Sequence, residues 1–89
     1  MPKIEKEITI KSAQGLHARP AALFVQIANK YNSNVSLSKS GEKVNGKSIM
    51  GILTLGAEHG STVIVEVEGE DAESLLKEIE ALLGKDANE

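Results

Sequence analysis

The chain has 89 residues, 10 basic and 13 acidic side chains, and a formal net charge of −3. That length holds one domain, residues 1–89, with one modest core. No cysteine is present, which excludes disulfides, zinc–thiolate sites and thiol catalysis, and the mild acidity disfavours non-specific binding to nucleic acid or anionic membrane.

The first element is a strand over residues 4–10, where Ile4, Ile8 and Ile10 alternate loosely with charged residues. Ser12 to Gly15 form a loop. A helix then runs from about Ala18 to Lys30. Its buried stripe is Ala21, Phe24, Val25 and Ala28 at the i, i+3, i+4, i+7 spacing, widened by Leu23 and Ile27. Ala22, Gln26 and Asn29 form a small or polar stripe on another side. Asn34 to Lys39 alternate again, with Val35 and Leu37 inward. Ser40-Gly41 turns the chain into a short return strand, Glu42 to Asn45, around Val44.

Asn45-Gly46 is a second turn signal. Ser48 then offers a favoured N-cap for a short helix. Ile52 and Leu55 can face the core from it. Ile49, Met50 and Leu53 cannot all join them, so some apolar surface is expected to stay exposed. Gly56 ends this helix with a residue tolerant of positive φ. Val63, Val65 and Val67 alternate with Thr62, Ile64, Glu66 and Glu68 in a central strand over 61–68. Gly69 breaks it. Asp71 caps a last helix with core positions Leu75, Leu76, Ile79, Leu82 and Leu83, stopped by Gly84. Residues 85–89 are expected to fray.

The order is β-α-β-β-α-β-α. The expected class is α+β: an open-faced β-sandwich, in which three helices cover one face of a four-stranded, mainly antiparallel sheet.

The chemistry concentrates at Gly15-Leu16-His17-Ala18-Arg19-Pro20-Ala21. Proline is favoured in the first turn of a helix. His17 is therefore placed at a helix N-terminus, beside free backbone N–H groups and the positive end of the dipole. A nucleophilic imidazole beside an anion-binding helix end is what a covalent phosphohistidine needs. The N–H groups of Ala18 and Arg19 are the nearest donors, since Pro20 has none. The Arg19 guanidinium can pair with phosphate oxygens. The plainer alternative is a capping or surface histidine beside a solvated arginine.

Ser48 has two readings as well. It is an ordinary N-cap, or a hydroxyl whose phosphate the helix end would tolerate. Ile49 and Met50 beside it either complete the core edge or meet a partner. His59, in Ala-Glu-His-Gly, reads as a surface turn residue. The acids from Glu66 to Glu73 read as a solvated face plus helix capping. Nothing in the spacing supports a metal site, and no cofactor motif is visible. Only Phe24 and Tyr31 are aromatic, so no stacking platform for single-stranded nucleic acid is expected. The N-terminus lacks the apolar core of a signal peptide, and no apolar run approaches membrane-spanning length. The expected setting is the cytoplasm.

Two segments together resemble a known family. Residues 15–21 are similar to the active-site signature of HPr, the histidine-containing phosphocarrier of the bacterial sugar phosphotransferase system. Lys-Ser-Ile-Met-Gly-Ile-Leu-Thr-Leu-Gly, at 47–56, is similar to that family's regulatory-serine segment. The resemblance covers about residues 3–84. It implies a phosphocarrier rather than a stand-alone enzyme. His17 would carry phosphate on Nδ1, with Arg19 steadying it. Enzyme I, charged by phosphoenolpyruvate, would be the donor, and the A domains of sugar-specific enzymes II the acceptors. Ala22, Gln26, Ile49, Met50 and Leu53 would form the shared docking surface. Ser48 would match the site phosphorylated by the ATP-dependent HPr kinase/phosphorylase.

Some relatives carry lysines along the exposed stripe of the first helix, where Gln26 and Asn29 stand here. That resembles the branch with a regulatory serine, and Gly46 leaves the lineage open. The presence of His17 disfavours the catabolite-repression paralogue that lacks the active histidine. The nitrogen-branch paralogue ranks second, because it departs from the Lys-Ser-Ile-Met-Gly pattern. A third reading is a regulatory interaction protein, in which the Ser48 phosphate controls binding to a transcriptional regulator. A ferredoxin-like small-molecule module would explain the fold class but not the histidine motif. A monomer is expected for a carrier whose docking face must stay open.

Overall fold

The computed structural model describes residues 3–11 and 15–84. The elements follow the expected order: β1 (Lys3–Thr9), α1 (Ala18–Ala28), β2 (Asn34–Lys39), β3 (Glu42–Asn45), α2 (Ile49–Thr54), β4 (Thr62–Glu68) and α3 (Ala72–Leu83). Most of the expected 12–15 loop and the expected fraying of 85–89 lie outside the described residues.

The four strands form one antiparallel sheet in the order β1-β4-β2-β3, so β4 is an inner strand as its alternation requires. Val63 faces Ile8, Val65 faces Leu37, and Val67 faces both Ile4 and Val35 in the strand registers. These side chains share one face because strand residues alternate. Three helices cover that face. Ala21, Phe24 and Ala28 come from α1, Ile52 from α2, and Leu75, Leu76, Ile79 and Leu83 from α3, all buried. The other face carries Glu5, Glu7, Ile64, Glu66, Ser36 and Ser38, and Ile64 is 41% exposed there. Glu5 and Glu66 lie directly opposite each other. Lys43 and Lys3 offset that repulsion by pairing with Glu66 at 3.1 and 3.6 Å.

The hairpin between β2 and β3 closes through two left-handed residues, Ser40 at φ 52° and Gly41 at φ 85°. That is the backbone a two-residue hairpin loop needs to match strand twist. Helix α1 ends at Ala28 rather than Lys30. Lys30 and Tyr31 donate to the carbonyls three residues back, Ile27 and Ala28, which tightens the last turn and ends the α pattern.

One residue expected in the core lies at the surface, and another only at the core's edge. Leu23 does not widen the core stripe: it is 41% exposed. With Ala21, Phe24 and Ala28 centred on the sheet, the pitch of an α-helix carries Leu23 well round the side of α1. Leu82 is half-buried at the edge of the core.

Asp71 stands at the N-cap of α3, yet its side chain makes no capping hydrogen bond. Its carboxylate reaches across the fold instead. It accepts from the backbone N–H groups of Asn32 and Ser33, each at 2.9 Å, and from the Ser33 hydroxyl. Ser33 is itself buried, 1% exposed. Gly69 completes the site: a Cβ there would lie 2.7 Å from the Ser33 Cα, and its φ of 152° suits only glycine. Three donors to one carboxylate fasten the start of β2 to the start of α3.

The Ser33 hydroxyl, followed by the Asn32 N–H, holds the Asp71 carboxyl below the usual aspartate range. A depressed folded pKa stabilises the fold above the unfolded value, about 3.9, and that stabilisation is lost as pH falls through the folded value. Asp71→Ala is expected to lower Tm by about 5 °C or more at pH 7. The gap between parent and variant should close in thermal melts taken below the depressed Asp71 pKa. An undiminished gap at that pH would assign the loss to packing rather than to the carboxylate.

Candidate functional site

The site begins two residues before the histidine. Gly15 has φ 71°, and a Cβ on it would lie 2.6 Å from the Ala57 carbonyl oxygen and 2.8 Å from the Glu58 Cα. Only glycine allows the chain to approach the 57–58 segment so closely. The next residue, Leu16, is buried, and its N–H donates to the Ala57 oxygen at 2.8 Å. The 57–60 turn is anchored in turn, because the Gly60 N–H donates to the Ile10 oxygen at 2.8 Å. The backbone entering α1 is thereby tied to the turn that feeds β4.

His17 follows as the N-cap of α1, with extended backbone at φ −88° and ψ −168°. Its carbonyl accepts the first helical hydrogen bond, from the Ala21 N–H at 3.0 Å. Its side chain makes no capping hydrogen bond. A serine or aspartate in this place would usually spend its side chain on the N–H groups of the first turn. Here the imidazole is half-exposed and makes no hydrogen bond among the described residues. The N–H groups of Ala18 and Arg19 likewise lack a partner among the described residues. Pro20 takes the third helical position, where its missing N–H costs little. Arg19 is exposed and forms no ion pair or hydrogen bond among the described residues. An uncommitted imidazole, two open backbone donors and an uncommitted guanidinium thus share the first turn of one helix.

Ser48 caps α2 in the ordinary way: its hydroxyl oxygen accepts from the Gly51 N–H at 3.0 Å. The hydroxyl is half-buried with its residue. Met50 is 70% exposed and Ile49 41%, while Ile52 and Leu55 are buried. Leu53 lies between these extremes and packs partly on the core. On α1, Gln26 is exposed and Ala22 half-buried. Helices α1 and α2 pack side by side. Of the other exposed large apolar residues, Ile64 lies on the open face of the sheet, and Leu23 lies on the outer side of α1 one turn from both Arg19 and Gln26.

His59 is exposed in the 57–60 turn, where it was expected. Among the described residues no group of three His, Asp or Glu side chains is placed to hold a metal ion. No described helix is long and apolar enough to cross a membrane.

Two contributors went unread in the sequence. The Ala57–Glu58 backbone supplies the seat for Gly15 and Leu16, and no side-chain pattern marks a carbonyl acceptor. Lys47, beside Ser48, donates from Nζ to the Tyr31 carbonyl at 3.0 Å, which ties the start of α2 to the segment after α1. The Gly15 requirement had a signal, since a glycine before a helix start often marks positive φ.

Comparison with known proteins places these features together. The family model described as the PTS HPr component phosphorylation site matches residues 4–85. The HPr-like protein Crh of Halalkalibacterium halodurans is 43% identical over 93% of this chain and 99% of its own. The crystal structure of the phosphocarrier protein HPr from Bacillus anthracis superposes with a TM-score of 0.89 at 41% identity, over 93% of this chain and 99% of that one. A crystal structure of Crh from Bacillus subtilis, described as a domain-swapped dimer, superposes with a TM-score of 0.73 at 42% identity, over 90% of this chain and 92% of that one.

The seat beneath His17 can be broken without touching the imidazole. Gly15→Ala forces a Cβ against backbone atoms and strains a left-handed residue, so it is expected to cost about 1–3 kcal/mol. Denaturant melts measure that cost. In a backbone NMR spectrum the Leu16 amide should shift most, since its bond to Ala57 is displaced. An unchanged Leu16 amide would show that the 15–17 backbone is held by something else.

Proposed function

The chain belongs to the PTS HPr family, and from that premise we propose that it carries a phosphoryl group on His17 between a phosphohistidine donor, enzyme I, and the A domains of sugar-specific enzymes II. The observation that carries the reading is the cap that does not cap. His17 holds the N-cap backbone geometry of α1 while its imidazole stays free.

The chemistry follows from that placement. The lone pair of Nδ1 attacks the donor's phosphorus, the donor's N–P bond breaks, and a new N–P bond forms on His17. The phosphoryl oxygens then lie against the first turn of α1. The Ala18 and Arg19 N–H groups and the helix dipole favour their negative charge. The Arg19 guanidinium adds charge-assisted hydrogen bonds. No general base is needed, because a neutral imidazole is already the nucleophile. Transfer onward is the same step in reverse on an acceptor histidine. The protein is a substrate and product of its partners' catalysis rather than an enzyme acting alone, and it works in the cytoplasm as a monomer.

Ser48 is the regulatory site in this reading, phosphorylated by an HPr kinase/phosphorylase. Its phosphate would be tolerated by the fold but would have to be desolvated when a partner covers Ile49 and Met50. A second reading, in which Ser48 phosphate governs binding to a transcriptional regulator, draws support from the relative named Crh. The free imidazole favours the carrier reading over it.

Mixing the protein with phosphoenolpyruvate and enzyme I is expected to label it with an acid-labile phosphate, and His17→Ala should abolish the label. Acid-labile label persisting on that variant would move the site to His59 and overturn the reading. Arg19→Ala is expected to slow transfer roughly tenfold, equivalent to about 1.4 kcal/mol. Its stability should stay within about 0.5 kcal/mol, since an exposed side chain adds little to folding.

Ser48→Ala loses one cap hydrogen bond and is expected to cost about 0.5–2 kcal/mol while leaving an effective carrier. Ser48→Asp should slow His17 phosphorylation with little change in Tm. Equal rates for Ser48→Asp and the parent would reduce Ser48 to an ordinary cap.

A further inference from the structure

A cavity of about 440 Å³ opens where β2 and β3 meet the 46–47 turn. That volume falls in the range of small-ligand sites. Its walls are two valines and five polar side chains: Asn34, Ser36, Lys43, Asn45 and Lys47. Among the described residues no acid lines it. Ser36 and Asn45 pair across β2 and β3, and Lys43 reaches Glu66 on β4. The cavity therefore belongs to the uncovered face of the sheet, not to the helix side that carries His17.

The local charge is opposite in sign to that of the whole chain. Residues 34–47 hold Lys39, Lys43 and Lys47 against Glu42 alone, in a chain of net charge −3. The polar side chains of the cavity also keep hydrogen-bonding capacity. Those of Asn34 and Ser36 make no hydrogen bond among the described residues. Asn45 accepts the Lys47 N–H on Oδ1 at 2.8 Å, which leaves its two amide donors open. Lys43 gives a proton to Glu66, and Lys47 gives one to the Tyr31 carbonyl. An ammonium has three donors, so each lysine keeps two.

Two carboxylates give the site a direction. In the strand register Glu66 and Glu68 stand beside Ser36 and Asn34, on the side of β2 away from β3. They repel an anion toward Lys43 and Lys47. On their own side, an amide, a hydroxyl and carboxylate oxygens can hydrogen-bond the hydroxyl groups of a ligand.

We infer that this cavity binds the phosphate ester of a small polyol, with its phosphate between Lys43 and Lys47 and its hydroxyl groups toward Asn34 and Ser36. Lysine supplies compact point charges that suit a phosphate, whereas bidentate carboxylate recognition favours arginine. No aromatic side chain lines the cavity, so a nucleotide base finds no stacking surface. The inference is independent of the carrier reading, because it uses no residue of α1.

The test is an amide NMR titration of the unphosphorylated protein with glycerol phosphate. The amides of Asn34, Ser36, Asn45 and Lys47, and the side-chain NH2 groups of both asparagines, are expected to shift together. They should saturate with a half-point of about 1 mM. Inorganic phosphate should bind about tenfold more weakly, since it cannot use the hydroxyl end. Glycerol should leave the spectrum unchanged. Lys43→Met and Lys47→Met each remove one ammonium and should weaken binding about three- to fivefold. Lys39→Met, on the same hairpin but outside the cavity, should leave binding unchanged. The spectra of the free variants read folding separately. Shifts that stay linear to about 20 mM ester, inorganic phosphate binding as tightly as the ester, or equal weakening by Lys39→Met would each overturn the inference. Shifts confined to Ala18 and Arg19 would also overturn it, because they place the anion at the start of α1.

Discussion

One backbone hydrogen bond underlies the arrangement at His17. The Leu16 N–H meets the Ala57 oxygen at 2.8 Å, over a glycine that alone permits the approach. That contact ties the entry to α1 to a turn that is itself held to Ile10, the residue after β1. It fixes the direction in which the chain enters the helix, and so gives His17 its extended cap backbone. The backbone of His17 is then placed by main-chain bonds, and its imidazole has no hydrogen-bond partner among the described residues. Most reactive histidines are oriented by a carboxylate or carbonyl at the second ring nitrogen. Here no such bond exists among the described residues, and the first turn of the helix supplies the polar surroundings instead.

The sheet and helices divide the remaining work. Burial of Val63, Val65, Val67, Leu37 and Phe24 supplies the core, and the Asp71 carboxylate fastens β2 to α3 on the side away from His17. Helix α3 carries its own charges and spends them on Lys6 and Lys30. Helices α1 and α2 are free of such duties on their outer sides. The carrier proposed above would need this division, because a face that is to meet partners must not also hold the fold together. Met50 can be covered or uncovered without disturbing Ile52, two residues along, which is fully buried.

Much of this was legible in the sequence. The period of two in residues 61–68 required an inner strand with both edges paired, and β4 has them. The surplus of apolar residues on a six-residue helix required exposure, and Met50 and Ile49 show it. Where the reading failed, the missing information was relational. Asp71 has the composition of a cap, but whether a carboxylate turns to its own helix or to a neighbouring chain depends on what folds beside it. Ser33, buried and thirty-eight residues away, outcompetes the local N–H groups. Leu23 follows the same logic. Its hydrophobicity suggested burial, while its angle around α1 is set by which residues the sheet selects as centre. The seat at Ala57 is a carbonyl, and every residue has one.

The central claim is that the phosphoryl group on His17 is received by the N-terminal turn of α1. Amide NMR of the protein before and after phosphorylation tests it most directly. The account predicts that the Ala18 and Arg19 amide protons move downfield and shift more than any others, as donors entering charge-assisted bonds do, while the Leu16 amide holds its position. Large shifts centred on the 57–60 turn or on α2, with Ala18 and Arg19 unmoved, would contradict it.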